Sequence, residues 1–296
     1  MKQFSTVAAL QEALAAERKM NKTVGLVPTM GALHDGHLSL IKKAKEQNDI
    51  VVVSVFVNPI QFNNKEDLAK YPRTVEADCE KLASADTDFA LIPSVEEMYP
   101  EPVTTTYHFG ALEEVMEGPQ RPGHFSGVAV VVRRLFDIVQ PQRAYFGEKD
   151  FQQLAIIRNL VEQIGYNIEI VPCPIVRADN GLALSSRNMR LSPEAKTIAP
   201  TIYATLKKAV EMSHNQGVDE VKAWVVETLR DFTPASGQGL ENQSEYAGKA
   251  FAPEYFEIVD AKTLQPVTAW DSPNGVVGCI TVWLTGVRLI DMVHFR

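Results

Sequence analysis

Ile50-Val51-Val52-Val53-Ser54-Val55-Phe56-Val57 is the stretch that decides the fold. Apart from Ser54 every residue in it is apolar, and most are β-branched. A strand with one wet face alternates apolar and polar side chains. An unbroken run suits a strand covered on both faces, as in a parallel sheet. Working outward, further β-rich runs lie at 24–28, 89–93, 143–146 and 168–172. Between them, residues 38–47, 75–85, 128–138 and 154–164 carry apolar side chains at helical spacing. This alternation implies right-handed crossovers and a Rossmann-like, doubly wound α/β sheet. Ligands bind such a sheet beyond the carboxyl ends of its strands. Chemistry is therefore expected just after Val27, Val57 and Phe146, and each of those places carries unusual residues.

Near Pro172-Cys173-Pro174 the pattern changes. A helix is expected over 193–213, opened by Ser192 as N-cap and Pro193 at the first helical position. A second helix is expected over 218–232, and strands at 255–259, 276–284 and 289–293. The reading is a Rossmann-like domain at 1–174 and a smaller α+β domain at 175–296 that closes over the site. Residues 233–250 are polar and rich in Gly, Ser, Gln and Glu, which reads as a long surface loop. At the N-terminus, Phe4, Val7, Leu10 and Leu14 recur at helical spacing among charged residues, so a surface helix is expected there and not a signal peptide.

A chain of 296 residues is long enough for two domains, and 45% hydrophobic with 22% charged residues is globular composition. No apolar run approaches the ~20 residues of a membrane span, so the expected location is the cytoplasm. A net charge of −8 disfavours a nucleic-acid-binding face. Cys79, Cys173 and Cys279 are scattered, with no CxxC pair, and read as buried thiols, neither disulfides nor zinc ligands.

Pro28-Thr29-Met30-Gly31-Ala32-Leu33-His34-Asp35-Gly36-His37 follows the first strong strand and opens a helix. Its glycines allow a sharp turn and close approach to a ligand. Unpaired N–H groups of a first helical turn, with the positive end of the helix dipole, make an anion site. Two imidazoles there add donors for phosphate oxygens, and bound phosphate would favour their charged form. A lone histidine at a helix start is more often a cap or a surface residue, and a His-x-x-His pair can bind metal. Here no third ligand is near and the zinc-protease glutamate is missing. His-x-Gly-His directly after such a strand resembles the ATP-binding signature of the nucleotidylyltransferase superfamily.

Five more segments accompany it. Asn58-Pro59-Ile60-Gln61 turns at a strand's carboxyl edge, and Tyr71-Pro72-Arg73-Thr74 leads into a helix with Thr74 as N-cap. Arg121-Pro122-Gly123-His124-Phe125-Ser126-Gly127-Val128 is a Gly-rich turn that suits either a closing loop or a plain turn. Gly147-Glu148-Lys149-Asp150 places a cation at a strand end, where it could neutralise phosphate charge, though charged tetrapeptides are usually solvated turns. Leu184-Ser185-Ser186-Arg187-Asn188 offers two hydroxyls and a guanidinium, either as phosphate ligands or as a solvated turn.

Together these segments resemble the pantothenate synthetase (pantoate–β-alanine ligase) family, in order from about Val24 to Asn188 and more weakly to the C-terminus. VPTMGALHDGH, VFVNPIQF, YPRT, RPGHFSGV, FGEKDFQQ and LALSSRN all look like that family's blocks. The polar segment at 233–250 departs from the family in length and lies outside every block.

The resemblance implies a two-step ligation. Pantoate attacks the α-phosphate of Mg-ATP to give pantoyl adenylate, and β-alanine then displaces AMP. It implies an ATP site of Met30, Gly31, Ala32, Leu33, His34, Asp35, Gly36, His37, Gly147, Glu148, Lys149, Asp150, Val176, Leu184, Ser185, Ser186 and Arg187. His37 is the implied proton donor, with His34 beside it and Lys149 as catalytic cation. Gln61 and Gln153 would grip the substrate, and a homodimer is implied. Mg²⁺ would ride on the ATP phosphates, and the sequence names no protein ligand for it.

Neutral amides can orient an attacking carboxylate without masking its charge, as an arginine would. A relative that adenylylates a phosphate-bearing substrate would want basic residues at those positions. A tRNA synthetase would want an RNA-binding face, and an ATP sensor would need fewer phosphate donors.

Overall fold

The computed structural model describes residues 1–232 and 250–295. The loop expected at 233–250 lies outside them, apart from Ala250. Two compact units are present: Met1–Glu113, Glu117–Glu148 and Gln153–Pro174 form the first, and Glu114–Met116, Lys149–Gln152 and Ile175–Arg296 the second. No composition shift marks the two short segments that join the second unit.

The first unit holds β1 (Lys2–Phe4), β2 (Val24–Thr29), β3 (Ile50–Val55), β4 (Phe89–Leu91), β5 (Arg143–Gly147) and β6 (Glu169–Cys173). They form one sheet in the order β1-β4-β3-β2-β5-β6, with every pair parallel. Its helices are α1 (Val7–Lys19), α2 (Asp35–Gln47), α3 (Lys65–Lys70), α4 (Val75–Ser84), α5 (Val95–Met98), α6 (Glu117–Gln120), α7 (His124–Val139) and most of α8 (Phe151–Ile164).

Every residue of β3 is buried, as its unbroken apolar run requires. Alternate residues serve opposite faces: Leu26 and Val52 pack with α1, α7 and α8, whereas Val27 and Val53 pack with α2 and α4. Strand order runs from β2 through β3 to β4 on one side, then resumes at β5 on the other side of β2. The reversal puts a topological switch point beside β2, where such sheets take their ligands.

The second unit holds β7 (Phe251–Asp260), β8 (Val276–Leu284) and β9 (Val287–His294), an antiparallel sheet in that order. With it are α9 (Pro193–Ile198), α10 (Thr201–Met212) and α11 (Val218–Arg230). The single helix expected over 193–213 is two, because Pro200 has no N–H to continue the ladder. Ser192 caps α9 as expected, accepting from the Ala195 N–H at 3.1 Å.

Cys173 and Cys279 are buried, but Cys79 is partly exposed, against the expectation for it. Burial pushes the Cys173 thiol up to about 11. An alkylating reagent at neutral pH is therefore expected to label Cys79 alone in the folded protein, read by intact mass. Labelling of Cys173 before unfolding would contradict this packing.

Candidate active site

The motif at 28–37 leaves the carboxyl end of β2, between β3 and β5 in the sheet. Helix α2 begins at Asp35, earlier than the apolar period indicates, so His34 is its N-cap and His37 lies in its first turn. The two rings lie against each other, tilted by 41° with centroids 4.1 Å apart. The Gly36 N–H donates to His34 Nδ1 and the His34 N–H to His37 Nδ1, each at 3.2 Å. A backbone N–H can only donate, so both Nδ1 atoms are unprotonated acceptors and each neutral ring carries its proton on Nε2. Charging either ring would remove an acceptor from a backbone N–H at the positive end of a helix dipole.

Ahead of the helix, the N–H groups of the glycine turn are already engaged within the protein. Gly31 N–H donates to Thr29 Oγ1, and the Ala32 and Leu33 N–H groups donate to Asp78. The His37 N–H is taken by the His34 carbonyl. With both Nδ1 atoms accepting, the Nε2–H groups of His34 and His37 are donors this motif adds, and they need no charge to donate.

After β3, Pro59–Gln61 forms a short 3-10 turn. Gln61 is only 7% exposed, and its Nε2 donates to Met30 Sδ at 3.0 Å, which brings the first and second motifs together. Asn58, 1% exposed, fixes the orientation of that amide. Its Oδ1 accepts from the Ile60 N–H and its Nδ2 donates to the Gly127 carbonyl, so its second Nδ2 proton points at Gln61 Oε1, 3.2 Å away. Tyr99 donates its hydroxyl to Asn58 Oδ1 at 2.9 Å, and burial pushes the Tyr99 phenol up, which keeps that proton in place. Gln61 thus turns its NH₂ group away from Asn58 as a donor.

The segment 121–128 is not a loop but the entry and first turn of α7. His124 is 6% exposed and clamps the Gln61 turn. Arg121 Nη1 lies 3.2 Å from His124 Nε2, so that nitrogen accepts, and the Nδ1–H donates to the Gln61 carbonyl at 2.8 Å. One turn later Gly127 lies against the same backbone: a Cβ there would sit 2.6 Å from Gln61 Cα. Gly127→Ala is therefore expected to cost about 1–3 kcal/mol through overpacking and to raise a substrate KM through the displaced Gln61 turn. Thermal melts and initial rates would read both, and a variant with unaltered melting and KM would contradict the clamp.

Gln153 lies in the first turn of α8, just after the carboxyl end of β5, in the same unit as Gln61. Lys149 and Asp150 belong to the second unit, where Lys149 Nζ lies 3.7 Å from Asp150 Oδ2. That unit also holds Val176 and Leu184 on a tight hairpin, joined by the Leu184 N–H to the Val176 carbonyl at 3.0 Å. Ser185 Oγ accepts from the Arg187 N–H at 3.3 Å, which leaves its O–H able to donate outward. Arg177 braces the hairpin: its guanidinium makes a forked pair with Asp291 at 2.6 and 2.8 Å and stacks on the Tyr203 ring at 3.5 Å.

Sequence reasoning missed the residues that hold the Gln61 turn. Asn58 reads only as a turn residue before Pro59, and His124 only as part of a Gly-rich turn. Thr74 stands at the N-cap of α4 as expected, yet its hydroxyl donates to Asp78 Oδ2 at 3.2 Å and caps nothing.

The family described as pantoate-beta-alanine ligase matches residues 2–294. A pantothenate synthetase from Bacteroides thetaiotaomicron is 53% identical over 296 residues, covering 100% of this chain and 99% of the relative. One from Phocaeicola vulgatus is 52% identical, with 100% of both chains covered. Among solved structures, a pantothenate synthetase from Thermus thermophilus is similar with a TM-score of 0.88 and 43% identity, covering 100% of both chains. A pantoate-beta-alanine ligase from Francisella tularensis, complexed with beta-gamma ATP and beta-alanine, has a TM-score of 0.76 and 32% identity, covering 100% of this chain and 98% of that one. With the switch-point motif, the glutamine turn and these likenesses in agreement over its length, the chain belongs to the pantoate–β-alanine ligase family.

Proposed function

We propose that this enzyme ligates pantoate and β-alanine in two steps through pantoyl adenylate. The observation that carries the reading is the pair of imidazoles at the switch point, each held by its cap with Nε2–H as donor. In the first step a pantoate carboxylate oxygen attacks the α-phosphorus of ATP. The bond to the bridging oxygen breaks and pyrophosphate leaves. The Nε2–H of His37 donates to the departing phosphate oxygen, and His34 stabilises the same charge. Lys149, with Ser185, Ser186 and Arg187, neutralises phosphate charge as it develops. Met30 through His37, Gly147 through Asp150, Val176 and Leu184 contribute the remaining ATP contacts.

Gln61 and Gln153 orient pantoate through neutral amides, so its nucleophilic charge is not masked. In the second step the β-alanine amine attacks the acyl carbon, and the bond from that carbon to the AMP oxygen breaks. The nitrogen loses a proton as the amide forms. Catalysis rests on positioning and electrostatics, as in phosphoryl transfer generally.

Among the described residues no cluster of three or more His, Cys, Asp and Glu could hold a metal ion. Magnesium is read as riding on ATP's own phosphates, with no step assigned to it. Among the described residues no helix is long and apolar enough to cross a membrane. A cytoplasmic homodimer is the proposed working form.

Pyrophosphate release tests the reading. Mg-ATP with pantoate alone is expected to release pyrophosphate in proportion to enzyme, and continuous turnover is expected once β-alanine is added. ATP binding without pantoate-dependent release would send the search to other acids.

A further inference from the structure

We propose that Asp78 is a positioning residue for the nucleotide motif, fixing the Gly31-Ala32-Leu33 turn and through it the direction of His34 and His37. The proposal rests on the reading that those histidines serve ATP. Gly31 and Ala32 are consecutive left-handed residues, with φ of +82° and +49°. Glycine adopts that conformation freely, but alanine does so only against a cost of about 1–2 kcal/mol. Something must hold the turn, and Asp78, reaching it from α4, does so with both oxygens. Oδ2 accepts from the Ala32 N–H at 2.9 Å and Oδ1 from the Leu33 N–H at 2.7 Å. Thr74 adds its hydroxyl to Oδ2.

One turn further along α4, Lys81 Nζ donates to the Leu33 carbonyl, so α4 grips both sides of that residue. The next residue is His34, the N-cap of α2. Space matters as well: a Cβ at Gly31 would lie 3.0 Å from Asp78 Oδ2 and 3.2 Å from Val55 Cγ1, so a side chain there would crowd the carboxylate. At 1% exposure the carboxylate is shut off from solvent, and both of its oxygens are engaged by backbone N–H groups. Charge on Asp78 is answered by two peptide dipoles and a hydroxyl, with Lys81 on its own helix.

Asp78→Asn separates this role from others. Asparagine keeps the shape but offers a single acceptor, so one of the two N–H groups loses its partner. The ATP KM is expected to rise roughly 10- to 100-fold and kcat to fall as well, because the same turn aims His37, with the pantoate KM unchanged. Adding Ala32→Gly, which removes the left-handed cost, is expected to recover several-fold of the lost ATP affinity. Should Asp78→Asn fail to fold, Ala32→Val strains the same turn with Asp78 intact and is expected to raise the ATP KM in the same way.

An active wild type beside an Asp78→Asn variant with unchanged ATP KM would overturn the proposal and leave the ligase reading standing. So would a defect abolished by raising magnesium, which would mark a metal role. Absence of pantoate-dependent pyrophosphate release from the wild type would instead remove the ligase reading itself.

Discussion

His37→Asn is expected to lower turnover by about 10²–10⁴ while leaving the fold and the melting temperature close to wild type. Asparagine places an acceptor near the position of Nδ1, so the bond from the His34 N–H can persist. What it lacks is the Nε2–H that the proposed first step uses. His37→Gln makes the opposite exchange, putting an amide N–H near the Nε2 position while the bond to the cap is lost. Glutamine should therefore retain more activity than asparagine and melt lower, by the ~1 kcal/mol of a lost cap. Thermal denaturation and pyrophosphate release on the two variants read the two roles separately. If asparagine kept wild-type turnover, the imidazole would be a cap and nothing more.

Gln61→Glu is the second large effect. The change is isosteric, and Asn58 Nδ2 can still donate to the new oxygen. It places a carboxylate where Gln61 is only 7% exposed, on the proposed reading beside the carboxylate of pantoate. Two like charges about 4 Å apart at an effective dielectric of ~20 repel by about 4 kcal/mol, which is roughly 10³ in pantoate-dependent kcat/KM. The sign of the pH dependence follows: lowering the pH protonates the new carboxyl, removes the repulsion and should recover activity relative to wild type at the same pH. ATP binding should be unaffected. A Gln61→Glu enzyme with full activity across neutral pH would show that this amide does not face the acid.

These expectations depend on residues of two kinds, and the sequence discloses one kind better than the other. β3 is legible because burial on both faces forces an unbroken apolar run. The switch-point motif is legible because glycine and histidine after a strand depart from every structural norm nearby. The starts of α2 and α7 are not legible from period, because their first turns, at 35–37 and 124–127, carry Gly and polar residues. Short elements such as β1, α3, α5 and α6 hold too few residues to show a period at all. Asp78 and Asn58 stay hidden for another reason: they act on backbone atoms of other segments, and nothing in their neighbours' side chains encodes that reach. The expectation of one helix over 193–213 failed because apolar spacing continues across Pro200 while the hydrogen-bond ladder does not.

The central claim is that pantoate's carboxylate attacks the α-phosphate of ATP. The most direct measurement uses pantoate labelled with ¹⁸O in its carboxylate, with unlabelled ATP and β-alanine, and mass spectrometry of the products. The account predicts one ¹⁸O in the phosphate of AMP, one retained in the new amide carbonyl, and none in pyrophosphate. Label in pyrophosphate or inorganic phosphate, or AMP formed without label, would contradict it.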